Sequence, residues 1–348
     1  VTPAPRIVVL TPVRNEAWIL ERFLEVTSRF ADRIVLADQR STDASLSIAA
    51  RFPKVTVIDN PSVSFNEGGR QLLLLEAARR LEPGPRILLG LDADELLAAD
   101  APGSPDWQRM LAAPPGTILG LERMDLLQAG VRVMRHPRWT QLGYVDDGAP
   151  HRPLLIHSTR VPAPEGAPEL ALPGLKVLHY ALVRPSAVAA KARWYSALEN
   201  HLSTQSNALK RRMRYHNMMD DSGTARTEPV DPAWFAGWEA AGIPMRGDRE
   251  EPFYWYDEEV LRLFGQHGSR RFWLDDLWGV DWEAIRREAV ARGATDLAGI
   301  QIERPPVILR GLLRLIDPPY RAQREWRARI TPRHRRERQR RLLPRAEG

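Results

Sequence analysis

Short apolar runs alternate with amphipathic segments through the first quarter of the chain. Arg6-Ile-Val-Val-Leu10 is apolar and β-branched, and Thr11-Pro12-Val13-Arg14-Asn15-Glu16 breaks it. Ile19, Phe23, Val26 and Phe30 then recur at i, i+4, i+7 and i+11, one face of a helix with Asn15 placed to cap it. Ile34 to Ala37 predicts a second strand, and Asp38-Gln39-Arg40-Ser41-Thr42-Asp43 a turn whose Ser41 or Thr42 can cap a helix running to about Phe52. Val55 to Asp59 predicts a third strand and Asn66 to Arg80 a helix. That helix leads into Ile87-Leu-Leu-Gly-Leu-Asp92-Ala-Asp-Glu95, an apolar run ending in three carboxylates. The order β-α-β-α-β-α-β predicts an α/β domain with a mainly parallel central sheet and helices on both faces.

Downstream, Thr117 to Glu122 and Val131 to Met134 read as further strands, followed by Tyr144-Val-Asp146-Asp147-Gly148, Arg152 to His157 and the apolar run Leu175 to His179. From Ser186 the pattern turns helical, with Ala187 to Leu202 and Leu209 to Met219 as helices. Six of the 11 tryptophans fall between 230 and 290 beside Phe253-Tyr-Trp-Tyr256. They can stack on a sugar or pin a helical subdomain onto the first domain. The expected division is 1–185 as the catalytic domain (1–95 and 96–185 as its two halves), 186–304 as a Trp-rich helical extension and 305–348 as a tail.

The acidic strand end is the first place where chemistry can be read. If strand geometry continues through it, Asp92 and Asp94 project to one side while Ala93 and Glu95 turn away. Two hard oxygen ligands aimed at one point suit Mg²⁺ or Mn²⁺ held together with a diphosphate. The other reading is an acidic turn or helix start. Neither a G-x-G-x-x-G nor a P-loop pattern follows the first strand, so a nucleotide has to be held differently. Asp38 can accept from a base imide or ribose hydroxyl, and Arg14 and Arg70 can fork onto phosphate. Singly each fits a cap, a turn or a surface ion pair as well.

Composition adds two constraints. With no cysteine there is no thiolate nucleophile, disulfide or Cys-bound zinc, which suits a cytoplasmic protein. No run approaches the length of a membrane span, and Val1 to Arg6 has no signal-peptide character. The net charge of +6 is concentrated in 305–348, where 13 Arg and no Lys face four acids. Val307 to Ile316 combines an apolar face with arginine, so the tail suits an anionic membrane surface, nucleic acid or an acidic partner, or is a solvated helix.

Three segments in order carry a resemblance. Leu10-Thr-Pro-Val-Arg-Asn-Glu16, Asp38-Gln-Arg-Ser-Thr-Asp43 and Leu91-Asp-Ala-Asp-Glu95 resemble the opening motif, the Asp-x-x-Ser-x-Asp turn and the DXD motif of family 2 glycosyltransferases with the GT-A fold. The resemblance implies a metal-dependent transfer, with inversion, from a nucleoside-diphosphate sugar, a UDP-sugar favoured. It implies nucleotide-sugar contacts for Pro12, Arg14, Glu16, Asp38, Asp92, Ala93 and Asp94, and more loosely for Arg70 in Asn66-Glu-Gly-Gly-Arg70. Asp92 and Asp94 are then the ligands of Mn²⁺ or Mg²⁺. His179, after its apolar run, resembles the family's late metal-binding histidine, and a structural histidine is the alternative; His136, His151 and His157 show no metal spacing. Asp146 and Asp147 stand where the family places its general base; Glu122 and a plain Asp-Gly turn are the alternatives. The acceptor, a saccharide, lipid-linked saccharide or small molecule, is not readable, nor is the oligomeric state. The rival classes are a nucleotidyltransferase and a nucleic-acid-binding protein using the arginine tail.

Overall fold

A computed structural model of the protein describes residues 4–62, 65–135, 139–154, 158–202, 207–220, 227–247, 251 and 253–317. The chain divides into two units, one of residues 1–184 and 226–249 and one of 185–225 and 250–348.

In the first unit β1 (Arg6–Val13), α1 (Leu20–Thr27), β2 (Arg33–Asp38), α2 (Ser45–Ala49), β3 (Val55–Asp59), α3 (Glu67–Leu81) and β4 (Arg86–Gly90) follow one another as the apolar pattern predicts. Their strands pair in parallel in the order β3-β2-β1-β4. The alternation within β1 shows why both faces must be covered. Ile7, Val9 and Val13 pack with α1 residues Leu20, Phe23 and Leu24, whereas Val8 and Leu10 pack with α3 residues Leu74, Leu75 and Ala78. The result is the mixed α/β fold expected from the sequence, with the carboxyl ends of β1, β2 and β4 along one edge.

The sheet continues through β5 (Glu95–Leu97), α4 (Pro105–Leu111), β6 (Ile118–Leu127), β7 (Arg132–Arg135), β8 (Thr140–Val145) and β9 (Glu169–His179). β8 runs antiparallel between β4 and β6, while β9 lies parallel to β6 and antiparallel to β5. Residues 226–249 return to this unit. There β10 (Glu228–Pro229) pairs with β7, and Trp234, Phe235 and Trp238 from α7 (Ala233–Ala240) enter the same core. Trp238 Nε1 donates to Leu97 O at 2.8 Å, which satisfies the indole's one polar atom inside that core.

The second unit is helical. It comprises α5 (Pro185–Leu202), α6 (Ala208–Asp220), α8 (Trp255–His267), α9 (Trp282–Ala291) and a helix over 307–317, α10. Trp278 stacks on Phe264 at 5.5 Å and Trp282 meets the same ring edge-on at 5.2 Å. Four of the six clustered tryptophans, 234, 238, 278 and 282, are thus buried core residues, which leaves no ring face of theirs for a sugar. No described helix is long and apolar enough to cross a membrane.

Candidate functional site

β4 stops at Gly90, and the acidic residues that follow form a turn instead of extending the strand: Glu95 N donates to Asp92 O at 2.9 Å, and β5 starts at Glu95. The two-residue alternation expected to put Asp92 and Asp94 side by side therefore does not operate here. Asp92 is drawn to Arg160, whose Nη2 donates to Asp92 Oδ2 at 2.7 Å. Arg160 also donates to both oxygens of Glu95 and, at 3.3 Å, to Gly90 O. This approach needs glycine at 90, because a Cβ there would lie 2.8 Å from Arg160 Cβ. Glu95 is fully buried, and its Oε2 accepts from Asp92 N at 3.1 Å. Burial alone would raise its pKa, but the Arg160 guanidinium, helped by His179, holds it below the ordinary glutamate value. Glu95 thus supports the turn from beneath by holding an arginine and the Asp92 amide.

Asp94 faces another way. Sheet register sets Glu95 opposite His179 across β5 and β9, and Asp125 opposite His179 across β6 and β9. Tyr180 N donates to Asp94 O at 2.8 Å and fixes the turn beside the end of β9. His179 Nδ1 lies 2.6 Å from Asp125 Oδ1, and its Nε2 lies 3.7 Å from Asp94 Oδ2. Burial would lower the imidazole's pKa; the charge of Asp94 and the hydrogen bond to Asp125 outweigh it and hold His179 above its ordinary value. A proton on Nδ1 given to Asp125 leaves Nε2 as the atom that faces Asp94, and a cation that displaces the Nε2 proton would meet the carboxylate–histidine arrangement that orients metal-binding imidazoles. Ligand bonds of about 2.1 Å to each atom span that gap. Asp94 and His179 therefore fit a divalent cation, and Asp92, committed to Arg160, stands outside that pair. No group of three or more such ligands exists among the described residues, so the remaining positions would fall to water and phosphate oxygens.

The other expected residues lie along the same edge. Val13 pairs with Asp38 and Leu10 with Gly90, which sets Pro12, Asp38 and Asp92 at neighbouring strand ends. Asp38 is 6% exposed; its Oδ2 accepts from Ser41 N at 3.1 Å, whereas its buried Oδ1 has no hydrogen-bond partner. Thr11 Oγ1 and Gln71 Nε2 are also buried and unpaired. Buried unpaired polar atoms are uncommon, and Asp38 Oδ1, at the end of β2, is one that a polar ligand would satisfy. Leu10, Pro12, Arg70, Gln71, Asp92 and Arg160 line one recess there. Asn15 does not cap α1, which begins after Ile19 without a side-chain cap. It takes a left-handed conformation (φ 55°) and accepts from Thr42 N at 2.7 Å, tying the first turn to the second. Glu16 Oε2 accepts from Trp18 Nε1 at 2.7 Å. The Ala93 side chain is in the apolar core, so any ligand contact from this residue is through its backbone.

Asp146 and Asp147, expected as the general base, sit at the opposite edge. β8 runs antiparallel to β4, Val145 pairs with Ile87, and Asp146 N donates to Arg86 O at 3.0 Å, so both acids lie at the amino end of β4. Asp146 is gripped by Arg79 Nη2 and Arg86 Nε at 2.6 Å each. Burial would raise its pKa; these two guanidinium hydrogen bonds hold it low. Asp147 accepts from Tyr144 Oη at 2.6 Å and from Ala149 N at 2.9 Å. Both acids are structural. Asp147→Asn is expected to leave donor turnover within about twofold of the parent chain, as surface changes away from a site do; steady-state kinetics on the purified variant checks it. Glu122, the alternative base, is held by Arg135 at 2.9 Å. His151 bonds Gln71 Oε1 at 3.1 Å, and His136 and His157 lie outside the described residues.

No protein-family model matches the chain, and none of the curated proteins matches it. Among solved structures it is similar to a 4-diphosphocytidyl-2C-methyl-D-erythritol synthase, with 18% identity over 35% of this chain and 61% of that one at a TM-score of 0.26. It is also similar to glucosyl-3-phosphoglycerate synthase from Mycobacterium tuberculosis, crystallised with Mn²⁺, UDP and glucosyl-3-phosphoglycerate, with 19% identity over 36% and 45% of the two chains at a TM-score of 0.24. The chain thus spans less than two thirds of either protein, and the reading of its site rests on its own residues.

Two residues of the constellation escape a reading by motif. Asp125 shows one signal, a carboxylate inside the apolar stretch Met124-Asp-Leu-Leu127 of β6, where it is 5% exposed. Arg160 lies in an irregular segment without periodicity, and nothing local distinguishes it from other arginines.

Proposed function

We propose that the chain is a glycosyltransferase of the GT-A type, moving a sugar, with a hexose and a UDP donor favoured, from a nucleoside-diphosphate sugar to an acceptor with inversion. The observation that carries this reading is the Asp94–His179–Asp125 constellation after β4, at the carboxyl edge of the sheet where the end of β2 carries the half-satisfied Asp38. Asp94 and His179 would hold Mn²⁺ or Mg²⁺, and the ion would supply positive charge against the departing diphosphate. Asp125 fixes the imidazole's orientation. Arg160 and Arg70 line the recess in which phosphate oxygens would lie, and Asp38 Oδ1, which has no partner in the protein, would accept a hydrogen bond from the base or ribose. A nucleotidyltransferase is disfavoured because Thr11-Pro-Val-Arg-Asn15 after β1 offers no glycine-rich basic loop to cradle a triphosphate.

The test is a thermal-shift screen of nucleoside diphosphates with and without Mn²⁺. A native-state ligand at about 100 times its Kd adds about 2.7 kcal/mol, which raises Tm by on the order of 5 °C or more for a unit of this size. The expected result is a shift for one base that requires the metal. No shift for any nucleotide in Mn²⁺, or the same shift with chelator present, overturns the proposal.

A further inference from the structure

The sequence of α10 and its setting in the second unit carry an inference that does not depend on the transferase reading. Among the described large apolar residues, Ile308 (79% exposed), Val307 (73%) and Leu315 (71%) are the three most exposed, and Leu312 (55%) joins them on the same helix. At 3.6 residues per turn, 307, 308, 312 and 315 fall on one arc of about 140°, with Gly311 inside it. The other side of the helix is fastened. Leu313 is buried, and Asp317 accepts from Arg212 Nε and Nη2 at 3.0 and 2.8 Å. Those attachments turn the apolar arc outward. Arg314, exposed, and Arg310, partly buried, border one margin of the arc.

Scattered exposed apolar residues need no explanation, but four on a single helical face form a patch that water disfavours. We infer that α10 is an in-plane membrane anchor, its apolar arc seated among the acyl chains of an anionic bilayer surface and its arginines at the headgroups. Charge decides between occupants. The sequence after α10 holds 11 arginines and three acids in residues 318–348, a density of positive charge that matches an anionic lipid surface. A second copy docked on the same face would bring that charge against itself. Nucleic acid would use the arginines but has no use for Val307, Ile308, Leu312 and Leu315, and 307–317 contains no aromatic ring on which a base could stack.

The experiment is co-sedimentation of the full chain with phosphatidylcholine vesicles and with vesicles that also contain phosphatidylglycerol. Binding is expected to the mixed vesicles and to be weak with phosphatidylcholine alone. The charge-neutral variant Ile308→Ser with Leu315→Ser should lose about tenfold or more of the partition coefficient. Both side chains are solvent-exposed, so the variant's far-UV spectrum and Tm are expected to match the parent's. Equal sedimentation of parent and variant overturns the inference, because arginine alone would then explain binding. So does a parent chain that ignores the anionic vesicles, or one that light scattering shows as a dimer which the two substitutions dissociate.

Discussion

Arg160→Met is expected to lower the unfolding free energy by about 3–5 kcal/mol, because removing one partner of a buried ion pair strands the other. Here Arg160 is the cation for two carboxylates, Glu95, fully buried, and Asp92. Methionine keeps much of the side-chain length, and both carboxylates lose their cation, the cost falling mainly on Glu95 because it is the buried one. Urea denaturation at neutral pH reads the effect, and a second variant identifies its origin: Arg160→Met with Glu95→Gln should recover most of the loss, since the one unpaired charge left, Asp92, reaches solvent. A loss below about 1 kcal/mol would show that the guanidinium is not the partner that matters. The parent chain carries a related pH signature. Glu95 and Asp146 both have pKa values below their ordinary 4.5 and 3.8, so their ionised forms favour the folded state. That stability is complete above those ordinary values and disappears as pH falls through the lower folded values. Asp146→Asn should flatten the acid limb of the stability curve without touching the donor site.

Asp94→Ala is expected to reduce donor turnover on the order of 10³-fold while leaving Tm in the absence of ligand nearly unchanged. Among the described residues its carboxylate is paired with His179, at 3.7 Å, and Arg160 keeps Asp92 and Glu95 as partners, so the loss of Asp94 strands no buried arginine. Asp125→Asn tests the layer behind it. An amide in that place can still meet Nδ1 but no longer favours the proton there, and Mn²⁺ affinity should fall about 10–100-fold. Mn²⁺ titration followed by relaxation enhancement reads this directly, apart from any activity. Unchanged turnover in Asp94→Ala would remove the carrying observation of the proposed function; unchanged metal affinity in Asp125→Asn would leave His179 oriented by its packing alone.

The α/β half was legible because buried parallel strands must be apolar on both faces, and 7–10, 34–37 and 87–89 have no other use for so many branched side chains. The location of the edge was legible for the same reason. What could not be read was how the chain leaves β4. The alternation rule holds only while the strand does, and the hydrogen bond from Glu95 N to Asp92 O ends it. The partners that matter after that, Arg160 and Asp125, arrive through a loop and through the β6–β9 register, contacts of long sequence separation that no local pattern encodes. The same limit misplaced Asp146 and Asp147: they follow an apolar strand as Asp92 does, but β8 runs antiparallel to β4 and delivers them to the far edge.

The commitment of Asp92 to Arg160 also sets how ligands would combine. A cation meeting this chain finds one carboxylate and one imidazole, too few contacts for tight capture by themselves, and a diphosphate in the recess would meet Arg160, whose charge is already shared with Asp92 and Glu95. Under the proposed function each ligand would complete the other's site. By reciprocity of binding free energies, whatever factor nucleotide adds to metal affinity the metal must add to nucleotide affinity, so the two would enter as one cooperative unit.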